Sequence, residues 1–386
     1  MADDAPRTVD ELTPEYLSLV AGRLLGDPTA RVTEFSLTAD PFEFPRFGEK
    51  EFHLIDFAYE GESGSGRSTV VLRILPPMDA VMMLTGDTEH RELLAFETGL
   101  YEQVPDTFHV PYVHVENHPE RGQHWAFVED VRPEMERLGM HAVIPDATLR
   151  TILSHLAAFH AAFWERQEVL SQPWLMRLSQ PVDYFYRCVV DIMDGMKAPA
   201  EPSAYIAEKW PWLSEGVINL LHSLEPETKR TVERLYREPE RLLEKVDSLP
   251  VTLCHYDFDN RNLGIRETPE GVKTVVIDWE IAGEGLSSAD VGRFLAYQQP
   301  PNAEELVGHY LDDLERHLGR GIDREEWLYG SELVTIAIWQ IIGVIFGVMV
   351  AAPSAPVPDE QREAMRERVY SDIAHVEALA KKHGLA

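Results

Sequence analysis

The sequence predicts an α+β chain built as two lobes, an N-terminal antiparallel sheet with one inserted helix and a larger, mainly helical C-terminal lobe. Three observations carry that expectation. The chain has 386 residues, 44% of them apolar, which is more than one hydrophobic core usually organises and enough to fill two. Strand-like apolar runs dominate up to about residue 128, with the alternation of half-buried β-structure. Helical spacing takes over from Ala147, where Leu153, Leu156, Ala157, His160, Ala161 and Trp164 share one stripe. The boundary is expected at 130–133, a hinge between lobes 1–129 and 134–386.

Taken in order, Thr13-Pro14-Glu15 reads as a cap with proline at the first helical position, opening a helix to about Leu25. Glu51–Phe57 and Thr69–Leu75 are the clearest strands. The Gly61-Glu62-Ser63-Gly64-Ser65-Gly66 stretch between them reads as a hairpin turn, since a phosphate loop would open a helix and here a strand follows. Pro76-Pro77 closes that strand, and His90–Val104 reads as the inserted helix. Val110–Val115 and Trp125–Val128 form a second hairpin. His114, His118 and His124 lack the spacing of a metal site and are expected at the surface.

In the helical lobe, Asn302-Ala303-Glu304-Glu305 and Asp323-Arg324-Glu325-Glu326 have capping-box spacing. His160, on its apolar stripe, reads as a satisfied core histidine. Leu333–Ala352 carries no charge and is about long enough to span a bilayer. Without basic flanks it reads instead as a central buried helix. Two short strands near 251–254 and 274–277 are expected to pair as an isolated hairpin among these helices.

Composition narrows the function classes. Lys plus Arg number 35 against 66 Asp plus Glu, a formal charge of −31. A field of that sign repels nucleic acid and anionic membranes and attracts cations, so neither nucleic acid nor membrane is an expected partner. The same charge equally suits a solubility adaptation. Cys188 and Cys254 lie far apart in apolar contexts, as expected of reduced thiols rather than a disulfide. The start Met1–Pro6 has neither the basic residues nor the apolar run of a signal peptide. A cytoplasmic location is expected.

The chemistry is concentrated in "CHYDFDNRNLG", residues 254–264, and in Asp278 at the end of the apolar run Thr274–Ile277. Turn propensity accounts for one or two of these polar residues, not for two apolar strands that both end in carboxylates. His255, Asp257 and Asn262 follow H-x-D-x-x-x-x-N, with a further Asp on the next strand, which is the spacing of a kinase catalytic loop. Phosphoryl transfer needs a carboxylate beside the attacking hydroxyl and Mg²⁺ among the phosphate oxygens. A carboxylate plus an amide oxygen suits that hard cation.

Together with "VVIDWEIAGEGLSSADVGRFL", "WAFVEDV" and "LAAFHAAFW", this motif resembles the family of aminoglycoside phosphotransferases, choline kinases and ecdysteroid-kinase-like proteins, over roughly residues 47–300. The resemblance implies a protein-kinase-like fold and transfer of the γ-phosphate of ATP or GTP, with Mg²⁺, to a hydroxyl of a small molecule. It makes Asp257 the general base and gives Asn262 and Asp278 to the metal. His255 supports the loop from beneath, and Asp290 braces it from a helix start. The backbone from Glu129 to Val131 meets the nucleotide base.

One position departs from the family. Arg73, in "VVLRILPP", stands where a phosphate-gripping Lys is usual; Arg keeps the charge with a different reach. Its carboxylate partner is expected at Glu97 rather than Glu92, because Leu93, Glu97, Leu100 and Val104 share a stripe. Gly48 is the candidate for the nucleotide-covering loop. Arg73 also keeps alive a nucleotide-binding pseudokinase or scaffold, against which the intact Asp257, Asn262 and Asp278 argue. A protein Ser/Thr kinase is disfavoured, since about a dozen residues separate Asp278 from Asp290 with no A-P-E closing an activation segment. In this family the acceptor is met by the divergent helices, here about 165–245 and 300–386. Trp174, Trp210, Trp212, Trp327 and Trp339 lean toward a bulky hydroxylated acceptor, whereas carboxylates such as Asp259, Glu284 and Glu326 would suit a cationic one.

Overall fold

The computed structural model describes residues 6, 8–39, 50–118, 123–139, 143–181, 185–195, 208 and 210–386. The chain divides into two compact units. One comprises 1–79, 92–142 and 260–278, the other 80–91, 143–259 and 279–386.

The first unit is built on a five-stranded antiparallel sheet. Its strands are β1 (Arg31–Ala39), β2 (Glu51–Gly61), β3 (Gly64–Leu75), β5 (Tyr112–His118) and β6 (Gln123–Glu129), in the order β1-β2-β3-β6-β5. The Gly/Ser stretch holds the two-residue hairpin turn Glu62-Ser63 between β2 and β3, and Asp27 pins it by accepting the Ser63 N–H at 2.9 Å. Helix α1 (Pro14–Leu25) starts at the Thr13 cap, whose side chain accepts the Tyr16 N–H, and ends at Gly26 with φ 63°. It lays Leu17, Val20 and Ala21 against Ile55, Phe57, Leu72, Trp125 and Phe127, all buried. A smaller sheet joins β4 (Phe108–His109), β10 (Gly271–Val276) and β9 (Leu263–Thr268), parallel in the first pairing and antiparallel in the second.

The surface expectation for the histidines of β5 is corrected. His114 and His118 are 7% and 3% exposed. A bulge between Tyr112 and His114 shifts the alternation, so that His114 stacks on Phe127 and His118 meets the edge of Trp125. Burial, followed by the nearby Arg23 guanidinium, pushes the His114 pKa down to about 4.

The second unit is mainly helical. Helix α5 (Asp146–Phe163) packs along Ala303–Leu318, and Ser154 Oγ meets His309 Nε2 at 3.0 Å. The uncharged segment forms no continuous α-helix. Arg324–Ile338 gives way to a π-helical turn, Trp339–Gly343, before Val344–Ala351. Gln340 explains the interruption in part: it is fully buried, its side-chain oxygen accepts the Tyr186 hydroxyl, and its carbonyl accepts that of Tyr236. Among the described residues no helix is long and apolar enough to cross a membrane.

The expected isolated hairpin does not form. Strand β8 (Thr252–Cys254) pairs antiparallel with β11 (Gly283–Gly285), which in turn pairs parallel with β7 (Met176–Arg177). The 274–276 run belongs to the other unit, because β9 lies just before it and a two-residue turn costs less closure entropy than reaching back to 252. The α+β class and the antiparallel N-terminal sheet are as the sequence predicts.

Candidate active site

In the first unit the hairpin β9–β10 sets the register Leu263↔Val276. The Asn262 carbonyl accepts the Ile277 N–H at 3.0 Å, so Asn262 and Asp278 emerge at the same end of the hairpin. Asn262 is 6% exposed. Asp278 has φ 65°, a conformation that costs a non-glycine residue energy and is held only where the surroundings fix it. Its carboxylate is part-exposed, as a metal or phosphate partner must be.

Strand β3 brings Arg73 to that carboxylate. Its Nη1 donates to Glu92 Oε2 at 2.8 Å and to the Tyr112 hydroxyl at 2.9 Å, and its Nη2 reaches Asp278 Oδ1 at 3.4 Å. The guanidinium also lies 5.9 Å from the Phe52 ring centre. Burial first, and then the Glu92 charge, raises the Tyr112 hydroxyl pKa well above its usual value, so it stays protonated and donates to Glu92. Tyr101 donates to the Glu92 carbonyl at 2.9 Å.

The partner of Arg73 is therefore Glu92, not the expected Glu97. Helix α3 spans only Arg91–Glu97, and Gly99 at φ 71° breaks the helix before a short 3-10 turn at Tyr101–Gln103. The stripe running to Val104 is thus not one helical face. Glu92 is 2% exposed, whereas Glu97 ends the helix in solvent and accepts from Asn117 Nδ2 at 2.7 Å.

At Glu129–Val131 the polar groups are largely committed. The Glu129 N–H donates to the Pro111 carbonyl at 2.8 Å. The Glu129 carboxylate sits 2.6 Å from His109 Nε2 and 2.8 Å from Arg266 Nη2. Burial pushes its pKa up, but His109 and Arg266 outweigh burial and hold it below the usual carboxylate range. The Val131 carbonyl accepts from Glu134 and Met135 as helix α4 (Arg132–Leu138) begins. Gly48 lies outside the described residues.

In the second unit β8 runs straight into the His255–Asp259 stretch of the motif. Asp290 Oδ2 accepts the His255 N–H at 2.7 Å and Oδ1 accepts the Tyr256 N–H at 2.6 Å. Tyr256 sits at φ 65°. Its hydroxyl reaches the Glu284 carbonyl at 2.9 Å, passing so close to Gly285 that a Cβ there would lie 2.0 Å from it. The His255 ring is fully buried, edge-on to Trp279 at 4.9 Å.

Asp257 is held by a residue that sequence reasoning missed. Arg293 Nη2 donates to Asp257 Oδ1 at 2.8 Å and lies 2.9 Å from Asp259 Oδ2. The available signal was its place three residues after Asp290, which puts both side chains on one face of the helix Ser288–Gln298. Arg91 was missed as well. It is 1% exposed and donates to the carbonyls of Trp174, Glu280 and Thr85.

His160, Cys254 and Asp290 form a buried cluster whose ligand atoms lie within 4.8 Å of one another. Each is already engaged. His160 Nδ1 is 2.7 Å from the Tyr310 hydroxyl and Nε2 is 3.2 Å from Asp290. The Cys254 thiol, its pKa raised well above normal by burial, donates to the Leu286 carbonyl. A metal would need the thiolate, so the cluster reads as a hydrogen-bond knot beneath the loop.

A sequence model of the phosphotransferase enzyme family matches residues 62–328, more than half the chain. No curated protein matches. Among solved structures, the chain is similar to a microcompartment-associated aminopropanol kinase, at 15% identity over 92% of this chain and 94% of that one, TM-score 0.48. It is also similar to a choline kinase from Streptococcus pneumoniae, at 11% identity over 93% and 98%, TM-score 0.46. An aminoglycoside phosphotransferase solved with GDP and kanamycin gives 12% identity over 96% and 99%, TM-score 0.41.

Proposed function

We propose, from the premise that this chain belongs to the phosphotransferase enzyme family, that it moves the γ-phosphate of ATP or GTP to a hydroxyl of a small molecule. The observation that carries this reading is the pairing of β9 with β10, which sets Asn262 beside Asp278, with Arg73 3.4 Å from the Asp278 carboxylate.

Asp257 accepts the proton of the acceptor hydroxyl as its oxygen attacks the γ-phosphorus. The bond from that phosphorus to the bridging oxygen breaks, and the nucleoside diphosphate leaves. Arg293 and the Asp290-bound amides hold Asp257 in place for that proton. Arg73, steadied by Glu92 and Tyr112, supplies positive charge to phosphate oxygens. Backbone groups at Glu129–Val131 meet the base.

Asn262 and Asp278 fit a divalent cation: an amide and a carboxylate are hard oxygen donors, and Asp278 keeps part of its surface open. Magnesium bound there would neutralise phosphate charge. The two thiols, both buried and neither in a disulfide, fit a reducing cytoplasm.

The test is an acceptor library screened with Mg-ATP and Mg-GTP, reading diphosphate release and phosphorylated product by mass spectrometry. Product that disappears with Asp257→Asn supports the reading. Tight nucleotide binding with no product from any acceptor would favour the binding-protein alternative, which the bonds of Arg73 to Glu92, Tyr112 and Asp278 also suit.

A further inference from the structure

We propose that the second unit carries a separate effector pocket for a small hydroxylated arylalkylamine, placed at the outer ends of the two elements that hold Asp257. A cavity of about 140 Å³ is lined by Trp164, Leu249, Leu286, Ser288, Ile322 and Trp327. An engineered cavity of about 150 Å³ takes up benzene, so one ring fits, and two indoles and three aliphatic side chains favour it. Ser288 is 2% exposed and its hydroxyl has no hydrogen-bond partner among the described residues. A buried polar group in that state costs free energy until something pairs it, and a hydroxyl on the ring would do so. The neighbouring Ser287 is already taken, accepting the Trp327 indole N–H at 2.8 Å.

Charge at the mouth selects the other end of the ligand. Glu165, Asp323 and Glu326 stand against Arg320 alone. Arg320 and Glu165 pair at 2.8 Å, leaving two exposed carboxylates in excess. An ammonium group is attracted there and to the indole faces, and a carboxylate is repelled.

The pocket contains none of the residues given to nucleotide or metal, it takes Glu326 and Trp327 from the side chains that the sequence offered to an acceptor, and it touches the supports of the catalytic loop. Leu249-Pro250 leads into β8, which ends at Cys254, immediately before His255. Ser287-Ser288 opens the helix that carries Asp290 and Arg293. A ligand seated against both starts would restrain them, and the His255 and Tyr256 amides bound to Asp290 would feel it.

The probe is tyramine, titrated calorimetrically into the full chain, with 3-(4-hydroxyphenyl)propionate as its anionic counterpart. Amide hydrogen exchange of 252–258 is followed alongside. We expect saturable tyramine binding, at least about tenfold weaker binding of the acid (a tenfold ratio being about 1.4 kcal/mol), and slower exchange at His255 and Tyr256. Ile322→Trp, which fills the cavity, should abolish binding, and Glu326→Gln, at an exposed position, should weaken it severalfold. If Ile322→Trp misfolds, Glu326→Gln still decides. Absence of saturable binding, equal binding of amine and acid, or binding untouched by the variants would overturn the pocket. Binding that leaves the two amides unchanged would overturn its effector role.

Discussion

Arg293 shares one guanidinium between Asp257, at 2.8 Å, and the fully buried Asp259, at 2.9 Å. The arrangement fixes Asp257 from the side, with a side chain that neither the motif nor the hydrophobic pattern announces. Removing the cation from a buried pair typically costs about 3–5 kcal/mol. Arg293→Met is therefore expected to lower stability by about that amount in urea denaturation, and adding Asp259→Asn is expected to restore most of it. Transfer should not recover with stability, because Asp257 still lacks its support. A double variant with normal kcat would remove Arg293 from the catalytic arrangement.

Asp257→Asn keeps the shape of the side chain and loses the proton acceptor. The loss of a positioned base typically costs about 10²–10⁴ in rate. Nucleotide affinity, measured by calorimetry, should stay near wild type, since Asp257 faces the acceptor in the proposed mechanism. Near-normal kcat in a folded variant would show that another group takes the proton.

Glu92 and Glu97 separate in a double-mutant cycle. Arg73→Met with Glu92→Gln should show strong coupling in kcat/KM and in stability, because the two groups lie 2.8 Å apart and buried. Arg73→Met with Glu97→Gln should be additive, and Glu97→Gln alone should stay within about 0.5 kcal/mol of wild type. Coupling through Glu97 instead would contradict the geometry of α3.

Asp278→Ala deletes what the proposed mechanism makes an anionic ligand for Mg²⁺, and it removes the partner of Arg73 Nη2. Affinity for Mg-ATP should fall to the value measured with EDTA, where the wild-type advantage also vanishes. An unchanged difference between the two conditions would place the metal elsewhere.

Acid stability follows from His114. Burial depresses its folded pKa to about 4 from a usual 6.5, so the unfolded chain binds the extra proton first as pH falls. Stability from this group is present above about 6.5 and is lost as pH drops toward about 4, at no more than about 1.4 kcal/mol per pH unit. Urea denaturation between those pH values should give a shallower slope for His114→Asn than for wild type.

The acceptor can be classed by salt. Trp212 and Trp339 are 8% and 7% exposed and belong to the core, and Trp327 lines the separate cavity, which leaves Trp174 and Trp210 of the aromatic walls expected from the sequence. Contact with a bulky hydroxylated acceptor persists with salt, whereas attraction of a cation fades over a Debye length of about 8–10 Å. Activity on an identified acceptor that falls steeply with salt, at constant Mg-ATP affinity, would mark the acceptor as cationic.

By itself the sequence determined the α+β class, the N-terminal antiparallel sheet and its hairpin, the first helix with its Thr13-Pro14 start, and the motif that picks out Asp257, Asn262 and Asp278. These rest on periodicities of two and three to four residues and on short spacings, which are local quantities. What depends on residues far apart in the chain was decided only by the tertiary structure. The choice of Glu92 over Glu97 turned on where one helix stops, and a glycine at positive φ settled it. The pairing of β8 with β11 rather than with the 274–276 run turned on which strand was nearer in space. The burial of His114 followed from a bulge that shifts the alternation, and the hold of Arg293 on Asp257 from a helix returning 36 residues later. Such contacts leave no period in the sequence, because the energy that selects them, desolvation of charge and close packing, exists only once the chain has folded back on itself.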